Sequence, residues 1–511
     1  MKQFFLMLSM GLVIMSCHKK DSDAPSFLNF NVGTLSLPPV PGASADLIVE
    51  SNLDWQVSVA AGTDWLQLSK TTGHGNDTIH VTVIKENQNA AARSAVVTAV
   101  PVNSGINLQA QATVEQKPYN VQLLSQKTFG GSGEDFISDV VSTPDGGLFL
   151  AGITSSNKSG DVGANHGDRD VWMIRLNSNR DTVWTRVMGG ANYDGASRAI
   201  ATADGGFAIA AYTDNAFGYG DWWIIKLKSN GDTAWTKSIG STYDDYAEDI
   251  VATADGGFVV VGGYSTSVHN EDVMVVKFNN NGDIAWQKTY GGSSYDRADA
   301  VTVYPDGSMM IAASTSSNNS GDVGATHGYM DYWILKLNAN GDKVWAKAYG
   351  GSQYDTPFEL AITADGGAII TGSSSSSQSG DVTGANHGKA DLWVVKVNAN
   401  GDMEWNTLLG GTGTEEDCVV KATPDGGYLI ACDTDSKDGD VGATQGSNDL
   451  WVLKLNTSGK ILWSKTFGGT RYEEATSLLL NTDGSFYVTG YNESVGGVDT
   501  GDGWLLKLKD Y

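Results

Sequence analysis

Little in this chain could staple or kink a fold. Only three of its 511 residues are cysteine, at positions 17, 418 and 432, so no disulfide framework organises it. Ten prolines are too few for an extended, disordered chain, and no stretch approaches the eighteen apolar residues of a membrane-spanning helix. Basic side chains are scarce as well. Lys and Arg number 33 against 59 Asp and Glu, a net charge of −26, which excludes nucleic acid and an anionic membrane surface as partners of the protein body. The common catalytic signatures are missing too: no phosphate loop, no Gly-x-Ser-x-Gly elbow, no non-repeated set of His, Asp and Ser. What is abundant is glycine (63) and tryptophan (15), the composition of a turn-dense all-β chain.

The glycines fall in a pattern. From Phe129 to Gly190 the chain reads Gly130-Gly131, an apolar run, the turn Pro144-Asp145-Gly146-Gly147, a second apolar run, and the loop Gly160-Asp161-Val162-Gly163. Asp170 then opens a third run, and Trp184 marks a fourth before Gly189-Gly190. The turn aspartate returns as Asp145, Asp204, Asp255, Asp306, Asp365, Asp425 and Asp483, at spacings of 51–60 residues. Asp170 returns as Asp221, Asp272, Asp331, Asp391, Asp449 and Asp502. Seven units of four short strands, with hairpin turns between them and no helical periodicity, predict a seven-bladed β-propeller.

The Trp-bearing fourth strand occurs only six times, at Trp184, Trp235, Trp286, Trp345, Trp405 and Trp463, and the seventh unit stops at its third strand. An unpartnered strand, Val121 to Phe129, precedes the first unit and ends in the Lys-Thr-Phe-Gly-Gly that also follows Trp463. Pairing that strand with the last unit would close the ring and leave no sheet edge exposed. The units resemble secreted bacterial propeller repeats of the SBBP-like type, a resemblance that implies a fold and no chemistry.

Three further regions precede the ring, which is read as residues 119–511. Residues 1–16 read as an export signal, with Lys2 ahead of an apolar core. Ile14-Met15-Ser16-Cys17 resembles a bacterial lipobox, which implies lipidation of Cys17, with 17–25 as a polar tether. Residues 26–118 alternate apolar and polar positions over six or more short runs, predicting an immunoglobulin-like β-sandwich. Asp54-Trp55, Asp64-Trp65, Ser69-Lys70-Thr71-Thr72-Gly73, Asn87, Arg93 and Val114-Glu115-Gln116 make this stretch similar to a BACON domain. That resemblance implies an exported protein of the Bacteroidetes kind and a neighbouring carbohydrate-active or carbohydrate-binding role. Trp55 and Trp65 themselves sit in strand alternation and are expected in the core.

Connectivity then tells which loops share a rim. The turn entering each first strand and the loop between second and third strands lie at one end of a blade, and the tight Asp-Gly and Asn-Gly hairpins lie at the other. One rim therefore gathers Asp135, Asp194, Asp244, Asp296, Asp355, Glu415 and Glu473, with tyrosine ahead of five of them, at Tyr193, Tyr243, Tyr295, Tyr354 and Tyr472. These acids either ring the channel mouth or accept backbone N–H groups within each turn, and the second reading is preferred.

The same rim carries the long inserts with His166, His327 and His387, one per unit and too few for a transition-metal site. Asp433, Asp435, Asp438 and Asp440 form an oxygen-rich run whose glycine falls one place late for an EF-hand-type loop, so calcium is the one metal with any pattern behind it. No other cofactor is expected. Cys418 and Cys432, equidistant from Asp425 on one hairpin, fit either a cross-strand bridge or two small core residues, and the strictness of bridge geometry favours the latter.

Unit two breaks the pattern. Phe217, Tyr219 and Trp222 crowd its shortened loop beside Tyr193, Asp194, Tyr243 and Asp244. Packing is the commoner fate of such aromatics, and a glycan-contacting patch is the functional one. The sequence thus leads to a non-catalytic, lipid-anchored protein of the cell envelope, held at the outer membrane and binding a polysaccharide or an envelope protein. A glycan-active hydrolase or lyase is the alternative.

Overall fold

The computed structural model describes residues 25–511 except 40, 41, 86, 88–90, 104, 215, 217–219, 268, 269, 498, 499 and 511. Cys17, Phe217 and Tyr219 therefore lie outside the described residues. Two compact units divide between Tyr119 and Asn120.

In the first unit, one four-stranded sheet contains Leu28–Phe30, Ser44–Ser51, Asp77–Val83 and Leu66–Leu68 in that spatial order. A five-stranded sheet contains Thr34–Leu37, Ala110–Gln116, Arg93–Pro101, Asp54–Val59 and Thr72–His74. Alternation sends one face of each sheet into a shared core that holds Leu47, Val49, Ile79 and Val81 with Trp55, Val57, Val97 and Val114. Trp55 is fully buried, and its indole N–H donates to the Gly75 carbonyl (2.8 Å). Trp65 is buried beneath the Arg93 guanidinium, 4.9 Å from its ring. Asn87, fully buried, donates to the carbonyls of Ala91, Gln116 and Lys117, and Arg93 donates to Gln116 Oε1. Trp55, Trp65, Asn87, Arg93 and Gln116 are thus consumed in holding the unit together.

The second unit is a seven-bladed propeller. Blade one consists of Asp135–Ser142, Leu148–Thr154, Asp170–Leu176 and Thr182–Met188, paired antiparallel in sequence order. Blades two to six repeat this arrangement. Blade seven takes Glu473–Leu480, Ser485–Gly497 and Thr500–Asp510 from the end of the chain, and Val121–Phe129 from before blade one. That strand pairs antiparallel with the last one, from Val121 opposite Asp510 to Phe129 opposite Gly503, so the ring closes as the sequence predicts. The first strands of neighbouring blades touch in an unbroken circuit of seven and are innermost.

Second and third strands are buried on both faces and read as near-continuous apolar runs. Fourth strands are half exposed. Their tryptophans lie across the next blade's Asn-Gly-type turn: Trp184 on Gly231, Trp235 on Gly282 and Trp345 on Gly401. Each of these glycines has positive φ and no room for a Cβ beside the indole, so only glycine fits there. Each Asp-Gly turn is closed by its own aspartate. Asp145 accepts from Thr143 Oγ1 and the Gly147 N–H, and it pairs with Arg175 of the third strand. Lys226, Lys277, Lys396 and Lys454, all buried, reach Asp204, Asp255, Asp365 and Asp425 in the same way.

Cys418 and Cys432 are joined in a disulfide with Cα atoms 4.2 Å apart, not two free core residues. The pairing of their strands skips from Glu416 opposite Asp433 to Val419 opposite Ala431. That irregularity brings the two cysteines face to face.

Candidate functional site

The strand-start carboxylates belong to the frame. Asp135, Asp194, Asp296 and Asp355 are buried, and each accepts the N–H of the second glycine of its Gly-Gly pair, at 2.6–2.7 Å. In unit three the residue doing this is Asp245, bonded to the Ser241 N–H, whereas Asp244 is exposed. The sequence register there was one residue early. Each strand-start acid also meets the third-strand aspartate of the preceding blade. A Cβ on Gly189 would lie 2.2 Å from Asp170 Oδ1 and 2.8 Å from Asp194 Oδ2, and Gly130, Gly291 and Gly468 repeat the arrangement. Glycine is thus required where two carboxyl groups close around the backbone. Burial and the facing acid push Asp272, Asp331 and Asp502 up to about 6, so these joints hold a proton far above the usual carboxylate range.

The insert histidines belong to the frame as well. The backbone N–H groups of His166, His327 and His387 donate to Asp170, Asp331 and Asp391. Gln445 N–H does the same to Asp449, so the backbone bond survives without histidine, whereas the His166 and His387 rings add an Nδ1 contact to Asp170 and Asp391 at 2.9 and 2.6 Å. Within the acidic run of that insert, Asp438 and Asp435 accept the Thr412 and Thr414 N–H groups, and Asp433 points elsewhere. The acids of the run thus serve different backbone partners.

Of the residues named for the patch in unit two, Phe217 and Tyr219 lie outside the described residues, and Trp222 and Asp194 do not face solvent. Trp222 is fully buried in the packing between blades two and three, and its indole donates to the Gly263 carbonyl (2.9 Å). Asp194 is buried. Tyr193 is half-buried, stacked on Tyr212 (5.8 Å) and bonded at its hydroxyl by Arg169. It belongs to a chain of rings and guanidinium groups running Tyr491, Phe136, Arg169, Tyr193, Tyr212, Tyr246 and Arg297, which links blade seven to blade four. Tyr243 is half-buried, with its N–H on Ser241 Oγ.

Two other rings on this rim stand free. Tyr329 of the blade-four insert and Tyr354, just ahead of blade five, are 61% and 55% exposed and stacked on each other, 5.4 Å between centroids and 17° between planes. Tyr329 N–H donates to the Gln353 carbonyl, and Met330 pairs with Tyr354 in a parallel bridge, so both are fixed at the backbone. Tyr329 stands two residues before Asp331, as Tyr219 stands two before Asp221.

Inside the ring the repeat breaks down. A cavity of about 270 Å³ opens among Ser138, Ser197, Arg198, Glu248, Asp299, Phe358, Asp417 and Glu474, and a second of about 290 Å³ lies among Asp139, Asp249, Glu359 and Lys421. Arg198 lines both. Its Nη1 donates to the carbonyls of Ser138 and Thr476, and its Nη2 lies 3.9 Å from Glu359 on the far side of the ring. The channel is thus divided by an arginine strut. Burial would depress Arg198, but Asp139 and Glu359 outweigh it and hold the guanidinium charged. Carboxyl groups around it move the other way: burial raises Asp299 to about 7, and burial with Glu359 nearby raises Asp249 to about 7.

None of these channel residues was singled out in the sequence. The signal was there: the third and fourth residues after each strand-start acid change from unit to unit and are often charged, as in Arg198, Glu248-Asp249, Asp299 and Glu359.

No family model matches the chain. Regulatory protein FlaEY of Caulobacter vibrioides is 26% identical over 212 residues, 37% of this chain and 21% of that protein. The chain therefore spans about a fifth of that relative's length. Among solved structures, the Neurospora crassa Pan2 WD40 domain shares 11% identity with a TM-score of 0.43, over 76% of this chain and 95% of that one. Kuenenia stuttgartiensis hydrazine synthase shares 12% with a TM-score of 0.46, over 73% and 96%. The propeller assignment itself rests on the strand pairing of this chain.

Proposed function

We propose that the ring is a non-catalytic binding module for a polysaccharide, presented on the cell envelope by a lipid on Cys17, with the small domain as a spacer. One observation carries the glycan reading: the stacked, exposed pair Tyr329–Tyr354 on the insert rim. A pyranose ring is apolar on its C–H faces and polar at its edge, and it is held by an aromatic face that packing has not consumed. Anchoring both rings at the backbone lowers the ordering cost of binding.

A panel of purified polysaccharides, scored for binding and for release of reducing ends, tests this directly. Tyr329→Ala and Tyr354→Ala are each expected to weaken capture of the bound glycan about tenfold, with the melting temperature nearly unchanged because both side chains are exposed. Affinity untouched by both changes would refute the platform. Release of reducing ends would favour the enzyme alternative, for which the raised channel carboxyls of Asp249 and Asp299 are the supporting feature.

The anchor has a separate test. Cys17→Ser is expected to abolish incorporation of a palmitate analogue, since the thiol is the acylation point of such signals. Label retained on the variant would overturn it.

A further inference from the structure

We propose that Asp417, Asp433 and Glu474 bind a calcium ion at the insert-rim end of the channel. One carboxylate oxygen from each lies within 4.8 Å of the other two, and no second group of three His, Cys, Asp or Glu comes so close among the described residues. The three come from two blades: the first and second strands of blade six and the first strand of blade seven. The repeat does not require them. Where blade six has Asp433, blades one, two, four, five and seven have Ile153, Tyr212, Ser314, Ser373 and Tyr491 at the equivalent pairing position. The other blades are thus built without this acid.

The burial of Asp433 is what demands a partner. Only 3% of it is exposed, and the hydrogen bond that reaches it is a single backbone N–H, from Ala475 to Oδ1 at 2.6 Å. A carboxyl group removed from water with one donor, and facing two more carboxyl groups, must either keep a proton or take up a cation. Arg198 is the one cation among the side chains lining the adjoining cavity, and its guanidinium is already engaged with Ser138, Thr476 and Glu359. A bound cation supplies the missing charge.

Its identity follows from the donors. All three are hard oxygens, with no imidazole or thiolate, which selects against zinc and copper. Three carboxylates from irregular positions beside an open cavity leave room for waters to complete six to eight ligands, as calcium takes, whereas magnesium demands a near-ideal octahedron. The Cys418–Cys432 bridge ties the two blade-six strands one residue away from both Asp417 and Asp433. Asp417 itself adopts a left-handed backbone, φ 50°. The disulfide therefore works as a positioning device for the chelating pair.

Calorimetric titration of the metal-free full chain with calcium chloride tests the proposal, with thermal melts alongside. Calcium is expected to bind and to raise the melting temperature, and tenfold magnesium should not replace it. Asp433→Asn keeps an acceptor for the Ala475 N–H and removes the charge, and Glu474→Gln does the same on the neighbouring blade. Each should weaken calcium binding at least tenfold while melting in chelator no lower than the parent. The exposed turn variant Asp283→Asn should bind as the parent does. The Cys418→Ser, Cys432→Ser double variant should bind more weakly without losing the site. No calcium-dependent heat or melting shift in the parent, unchanged binding in both carboxylate variants, or equal response to magnesium would overturn the assignment.

Discussion

A chain lacking residues 121–129 is expected to aggregate or to lose its resistance to proteolysis, whereas one lacking 26–118 should keep a folded ring. The nine-residue strand Val121–Phe129 pairs along the outer edge of Thr500–Asp510, from Val121 opposite Asp510 to Phe129 opposite Gly503. Its removal strips one ladder of hydrogen bonds and leaves a strand edge open to intermolecular pairing. It also removes apolar cover. Phe129 is fully buried in the cluster that joins blades seven and one, beside Ile137, Leu505 and Tyr487, and Val121 is buried at the strand's other end. Losing a buried side chain of this size costs about 1.5–3 kcal/mol, before the ladder is counted. Limited proteolysis and size-exclusion chromatography of the two truncations decide the matter. Equal behaviour would mean that blade seven holds without its borrowed strand.

Closure was legible because a missing element leaves a trace. Six fourth-strand tryptophans for seven turn aspartates required one strand from elsewhere, and only Val121–Phe129 was unspoken for. Repetition also revealed which residues are structural, since a residue present in every blade is there because every blade needs it. The register of unit three was harder to read. Ser241-Thr242-Tyr243-Asp244-Asp245 offers two adjacent acids, and only the position of the Ser241 N–H decides that Asp245 is the inward one. The disulfide escaped for a related reason: whether Cys418 faces Cys432 depends on a pairing irregularity that no spacing from Asp425 reveals.

The channel was hidden by the property that makes it a site. Arg198 and Glu359 vary from the repeat at their positions and look like drift until the ring sets blades two and five opposite each other. Trp222 shows the reverse error. It stood out by departing from the pattern, yet an aromatic at the start of a third strand, a strand class buried on both faces, had only the core to enter.

Stability is expected to peak in mild acid, near pH 4–5, and to fall as the pH rises to 8. Carboxyl groups whose native pKa is raised are protonated in the folded state over a range where the unfolded chain has released its protons. Their contribution is complete below the unfolded value near 4 and is lost as the pH climbs through the native one. Asp272, Asp331 and Asp502 at about 6, Asp249 and Asp299 at about 7, and Glu271 at about 8 all act in this direction, chiefly through burial. The turn aspartates act oppositely. Asp145, held at about 2 by Thr143, the Gly147 N–H and Arg175, and Asp255, held at about 2 by Thr253 and Lys277, contribute above pH 4 and are lost only as the pH falls toward 2. Between the two sets lies the maximum. In chelator, where no cation can take the place of protons, the melting temperature should drop by about 5–10 °C from pH 5 to pH 8. Asp299→Asn isolates one contributor. Asp299 accepts from Ser314 Oγ and has Arg297 as its nearby cation, and the amide keeps the shape without the charge. The variant should match the parent at pH 5 and exceed it at pH 8, flattening the profile. A parent that grows more stable from pH 5 to pH 8, or a variant less stable than the parent at pH 8, would show that the channel acids are ionised and satisfied rather than held neutral by burial.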